Sequence, residues 1–198
     1  NWKEAAQLSK TVQRIKSSKN PEQLSRFLVF QSMDKLKNHQ SNEAIILLKK
    51  AIKNSPTFSL PYQKLGDVFY QENKLKDAIK NWEKFVELNP GESKKTLSKI
   101  ESAYFDIGQF DDVEKFYNRV IQKNPSNLIA LVNLANLLQQ KGEYDASMSL
   151  IDDALLQNEE SIFINLMKLK LSLNQADDLK YKKLIDKIIE QFKEANIS

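Results

Sequence analysis

A set of small residues and prolines returns every 34 or 35 positions along this chain. Pro56, Pro90 and Pro125 are spaced 34 and 35 apart, Ala44 and Ala78 are 34 apart, and Gly108 and Gly142 repeat that interval. A period of this length belongs to helical repeat arrays, in which one helical pair cannot bury its apolar face and each stacked neighbour supplies the missing wall. The expected class is therefore all-α, a single solenoid of antiparallel helix pairs running over 1–198 with about eleven helices in all. Such an architecture offers a surface for holding other molecules.

Composition narrows the chemistry. The 198 residues contain four glycines and five prolines, and the apolar positions fall at helical spacing, which disfavours anything built on hairpins. With no cysteine and one histidine, the chain has no disulfide, thiolate metal site, cysteine nucleophile or histidine pair for zinc. The net charge of +4 comes from 30 basic and 26 acidic residues dispersed along the chain, whereas a nucleic-acid binder concentrates its cations into a stripe. No nucleic-acid partner is expected. No run reaches the ~18 apolar residues of a membrane span, so no direct membrane insertion by this segment is expected either. The expected location is cytoplasmic, or the cytoplasmic face of a membrane if an upstream anchor exists.

The stretch YQKLGDVFYQENKLKDAIKNWEKFVELNP, Tyr62 to Pro90, displays one unit in full. Tyr62, Leu65, Gly66 and Phe69 mark one face of a first helix, Asn73 and Lys74 a short turn, and Ala78, Trp82 and Phe85 the inner face of a second. Small residues at Gly66 and Ala78 let the two helices approach closely. This succession resembles the tetratricopeptide repeat (TPR), whose fold is a right-handed superhelical solenoid. The same slots recur in the next unit through Leu97, Ile100, Tyr104, Gly108, Phe110, Tyr117 and Val120, with Glu101 and Val113 where Gly and Ala are usual. The following unit fits through Leu131, Leu134, Ala135, Leu138, Gly142, Tyr144, Ile151 and Ala154.

Four repeats are thus expected over 25–56, 59–90, 94–125 and 128–159. Ahead of them, Trp2, Ala5 and Val12 over 1–16 match a second helix whose first helix lies upstream, an open end that predicts a homodimer built on that helix and a wall of Val29, Phe30 and Met33. Asn20-Pro21-Glu22-Gln23 reads as a helix start. Residues 160–198 read as a divergent fifth repeat and a capping helix, with Tyr181, Leu184, Ile185, Ile188, Ile189 and Phe192 on one stripe and lysines behind it.

The resemblance implies which residues face the concave groove formed by the first helices. They include Lys64, Asp67 and Tyr70 in one repeat, Lys95, Lys99 and Ser102 in the next, and Asn133, Asn136 and Gln140 in the last. Asn and Gln can bond an extended peptide backbone, and Lys64, Lys95 and Lys99 would form a positive patch for acidic groups. Val29, Phe30, Met33 and Leu36 would add an apolar patch. Lys95 and Lys99 match the last two positions of the chaperone-tail carboxylate clamp, but Val29, Met33 and Lys64 replace the others, so no clamp is expected.

His39 falls in the turn slot usually held by glycine, Asp111-Asp112 and Asp177-Asp178 at helix starts, and Asp152-Asp153 on an exposed helix face. None has the partners of a general acid–base pair. No catalytic residue, cofactor or metal is therefore expected, and the function read from the chain is a non-catalytic scaffold for an unidentified protein or peptide. An RNA-binding helical array shares the period, but its base-reading residues would recur at fixed slots, and here the groove slots vary. Finally, AIILLKKAI, SKIESAYFDIGQF and KFYNRVIQKNP are similar to the TPR segment of the lipopolysaccharide assembly protein B family. That likeness implies an adaptor in envelope biogenesis, with a membrane anchor and a four-cysteine zinc module that this chain does not contain.

Overall fold

The computed structural model of the chain describes residues 20–157, 159–173 and 178–195, and among them the fold is all-α with ten α-helices. These are α1 (Pro21–Lys37), α2 (Ser41–Asn54), α3 (Leu60–Gln71), α4 (Leu75–Leu88), α5 (Lys94–Asp106), α6 (Phe110–Lys123), α7 (Leu128–Gln140), α8 (Tyr144–Gln157), α9 (Ile162–Leu173) and α10 (Asp178–Ala195). A short 3₁₀ turn, Pro90–Glu92, joins α4 to α5. The helix expected over 1–16 lies outside the described residues. The chain divides into two compact units, Asn1–Val113 and Glu114–Ser198.

The 34-residue period has a backbone cause. Helices α1, α3, α5 and α7 all end on a residue in the left-handed region: His39 at φ 57°, Asn73 at 58°, Gly108 at 72° and Gly142 at 79°. At each, the next residue's N–H reaches back five positions. Gln40 bonds to Lys35 O at 2.9 Å, Lys74 to Phe69 O at 2.8 Å, Gln109 to Tyr104 O at 2.9 Å and Glu143 to Leu138 O at 2.8 Å. The left-handed residue itself bonds three positions back, as His39 does to Leu36 O at 3.1 Å. These are Schellman closures, which satisfy carbonyls that a helix end would otherwise leave orphaned. His39 therefore occupies the turn slot expected of it, in a conformation that glycine adopts more cheaply. At the other end, the Asn20 side chain accepts from the Glu22 and Gln23 amides and Pro21 opens α1, as the sequence predicts.

In the first unit, α1 packs on α2, α3 on both α2 and α4, and α4 on α5. Ala44, Leu48 and Ala51 of α2 are fully buried, and the Ser25 hydroxyl, also buried, lies 2.8 Å from Ala51 O and ties α1 to α2. Between α3 and α4 the fit is tight because Gly66 faces Trp82. A Cβ on Gly66 would stand 2.4 Å from Trp82 Cδ1, so only glycine admits the indole at this depth. In the second unit, α7 packs on α8, α8 on α9 and α9 on α10. Leu131, Ala135, Ile151, Ile164 and Leu171 form its core. Burying side chains of the leucine and isoleucine type contributes about 1.5–3 kcal/mol each. Ser147 is buried but satisfied, donating to Ala135 O at 3.0 Å.

The stripe on α10 departs from a simple cap. Ile188 is buried, whereas Ile185, Ile189 and Phe192 stay 41–47% exposed. Tyr181 lies outside the described side chains.

Candidate functional site

Successive helices of the first unit carry their polar groups to one place. Asp67 and Tyr70 stand one turn apart on α3, Trp82 projects from α4, and Ser98, Lys99 and Ser102 lie on one face of α5. Together with Gln71 these residues line a pocket of about 400 Å³. At its floor, Asp67 Oδ1 accepts a hydrogen bond from Trp82 Nε1 at 3.1 Å and another from Lys99 Nζ at 2.7 Å. The Lys99 ammonium also stands over the indole, 5.4 Å from the ring centroid. Tyr70 covers the same indole from the side, centroid to centroid 5.4 Å with the planes tilted 41°. Trp82 is only 1% exposed although it lines the pocket.

The fixed part of this arrangement is the indole, wedged against Gly66 and tied to Asp67. The adjustable part is Lys99. Its side chain is 47% exposed and that of Asp67 28%, so water screens the ion pair and it contributes ~0–1 kcal/mol. Asp67 Oδ2 receives no hydrogen bond from the described residues, and neither Ser98, Ser102 nor Gln71 spends its side-chain hydrogen bonds on them. The pocket thus combines an aromatic face, an engaged ion pair and several unspent donors and acceptors.

Four of the nine residues assigned to the groove from the sequence, Asp67, Tyr70, Lys99 and Ser102, meet here. Lys64 is half-buried on α3 and Lys95 exposed on α5, and neither lines the pocket. Of the three lysines expected to form a positive patch, Lys99 is engaged by Asp67. In the second unit, Asn133 Nδ2 donates to the Tyr117 hydroxyl at 3.0 Å, Asn136 is half-buried and Gln140 is exposed. The apolar set on α1 separates: Phe30 is 73% exposed and Met33 39%, while Leu36 is half-buried and Val29, at 2%, is core. Of the two surfaces expected to build a homodimer, the helix with Trp2, Ala5 and Val12 lies outside the described residues, and the wall of Val29, Phe30 and Met33 has its Val29 buried. Trp82 was legible only as a packing residue. An aromatic opposite glycine, with Asp67 beside that glycine, is the signal that places it at a pocket edge. A second aromatic contact, Phe105 against exposed Phe110 at 5.6 Å, continues the α5 face beyond Ser102.

Among the described residues no three acidic or histidine side chains are placed to hold a metal ion, and no helix is long and apolar enough to cross a membrane.

The positive-φ turns and the paired helices recur at one period, and the tetratricopeptide repeat signature matches residues 104–169. The chain is a tetratricopeptide repeat protein. TPR proteins of this kind are generally non-catalytic, and their repeats typically mediate protein–protein interaction. The chain is 23% identical over 177 residues to lipopolysaccharide assembly protein B of Haemophilus influenzae, a distant similarity covering 89% of this chain and 44% of that protein. It therefore spans under half the length of the curated relative it matches. Among solved structures, a crystal structure of MamA superposes with a TM-score of 0.51 at 20% identity, covering 86% of this chain and 92% of MamA. A double mutant of MamA from RS-1 superposes at 0.52 and 14% identity, covering 88% and 97%. At these identities the likeness establishes the TPR fold alone.

Proposed function

We propose that this TPR chain is a non-catalytic adaptor that holds an extended segment of a partner protein along the first helices of its repeats, anchored at the pocket of α3, α4 and α5. The observation that carries this reading is that pocket, where residues 67 to 102 in sequence converge with hydrogen-bonding groups unspent. An extended peptide needs donors and acceptors along its backbone and a recess for a side chain, and Gln71, Ser98 and Ser102 around an aromatic floor supply both. A second reading is an adaptor acting in envelope biogenesis on the cytoplasmic side of a membrane, favoured by the similarity to lipopolysaccharide assembly protein B over 89% of this chain.

The test is site-specific photo-crosslinking in the native host. A benzophenone side chain at Ser98, on the pocket rim, should capture a defined partner, and the same group at Lys80, exposed on α4 and outside the pocket, should not. Capture at Lys80 but not at Ser98 would remove the binding surface from this pocket. An envelope-biogenesis protein as the captured partner would support the second reading.

A further inference from the structure

We infer that the pocket is a receptor for an arginine side chain of the bound peptide, and that Lys99 occupies it in the peptide-free chain as an internal substitute. This rests on the binding surface proposed above and adds to it the chemistry of the residue held.

The pocket already holds a cation. The Lys99 ammonium is 2.7 Å from Asp67 Oδ1 and 5.4 Å from the Trp82 centroid, so a carboxylate and an aromatic face converge on one positive charge. The Lys99 ammonium reaches Trp82 on a flexible side chain, which can leave without any backbone movement. Lys99 uses the site incompletely. It engages one carboxylate oxygen and leaves Oδ2 and the Ser98 and Ser102 hydroxyls without partners among the described residues. An ammonium is a point charge, whereas a guanidinium is planar, stacks on an aromatic face and meets both oxygens of a carboxylate. Laid on Trp82, it would take both Asp67 oxygens and point its remaining N–H groups at the two hydroxyls. The displaced Lys99 would return to water, where its half-exposed side chain already reaches.

The same geometry discriminates against other side chains. A lysine from a peptide offers nothing that Lys99 does not already supply at the high effective concentration of an attached group. A carboxylate would have to take Lys99 from Asp67 and then sit beside that uncompensated negative charge.

The experiment uses the full 198-residue chain carrying Trp2→Phe, so that Trp82 is the sole tryptophan. Blocked pentapeptides Ser-Gly-Arg-Gly-Ser, and the same with Lys or Glu at the centre, are titrated while Trp82 emission is followed. The arginine peptide should give a saturable change and bind about fivefold or more tightly than the lysine peptide, given the bidentate bond. Lys99→Ala should strengthen arginine binding about tenfold by removing the tethered competitor. Asp67→Asn, which keeps an acceptor for the indole N–H, should abolish it. Lys99→Met, which removes the competing charge and keeps a flexible apolar side chain, provides the second variant should Lys99→Ala lose its helical circular dichroism. Weaker arginine binding on loss of Lys99, a preference for the glutamate peptide, or no saturable response in either the parent or the Lys99 variants would overturn the inference. Capture at Ser98 is scored independently, so a pocket indifferent to arginine with a partner still crosslinked there leaves the adaptor reading standing.

Discussion

At the scale of single residues, the sharpest constraint is the space between Gly66 and Trp82. Added to Gly66, a methyl group would lie 2.4–2.9 Å from three indole atoms. Gly66→Ala gains the helix propensity of alanine, about 1 kcal/mol, but must push a wedged ring and should cost a net ~1–2 kcal/mol. Urea unfolding would show it as a lower midpoint, and the displaced indole as a shift in emission. Ala78→Leu, at a fully buried α4 position, should likewise overpack by roughly 1–3 kcal/mol. An unchanged midpoint for Ala78→Leu would mean that α3 and α4 can separate without loss. Both packing roles could be read from the sequence, because a small residue at a fixed slot of a periodic pattern has one structural use. The Asp67–Lys99 pair could not. Slot position says which side of a helix a charge occupies, but not that two charges 32 positions apart will close on each other rather than face solvent.

Among the elements, the turns carry the period, and they differ in strain. Gly108 and Gly142 adopt positive φ freely, Asn73 tolerates it, and His39 does so at the cost of a Cβ crowding its own carbonyl. His39→Gly should therefore raise stability by about 1 kcal/mol, and Gly108→Ala should lower it by about 1–2 kcal/mol. Thermal unfolding of the pair would test both signs together. The turn between α7 and α8 has an added latch in Lys141, which binds the Glu114 carboxylate and, at 2.9 Å, Glu143. Hydrogen bonds to Glu114 and then Glu143 hold the Lys141 ammonium above the ordinary lysine range. A raised folded pKa adds stability that is full below the unfolded value of about 10.4 and declines as pH rises from there through the folded value. The deficit of Lys141→Met relative to the parent should be equal at pH 7 and 9 and smaller at pH 11. Helix number and turn position were legible because glycine, proline and apolar spacing act locally. The exposure of Ile185, Ile189 and Phe192 was not, since a stripe on a helix gives no indication of how much of its width a single neighbour covers.

For the whole molecule, contacts run mainly between consecutive helices, so damage should stay near its origin. Ile151→Ala empties a fully buried position among Leu131, Ala135, Ile164 and Leu171 and should cost about 2–5 kcal/mol. Native-state hydrogen exchange should then quicken in α7 to α10 while the amides of α2 and α3 keep their protection. Uniform acceleration would indicate one cooperative block. The fold class was legible in full because repetition turns one local pattern into an architecture, whereas the occupant of the surface depends on chemistry outside the chain. The α10 stripe has a practical consequence. In dilute buffer the net charge of +4 opposes association between copies. Ammonium sulfate removes that protection twice over, by shortening the reach of the charges and by strengthening apolar association. The protein should therefore adhere to a phenyl column at moderate salt, and Ile185→Lys with Ile189→Lys should elute earlier at the same fold and mass.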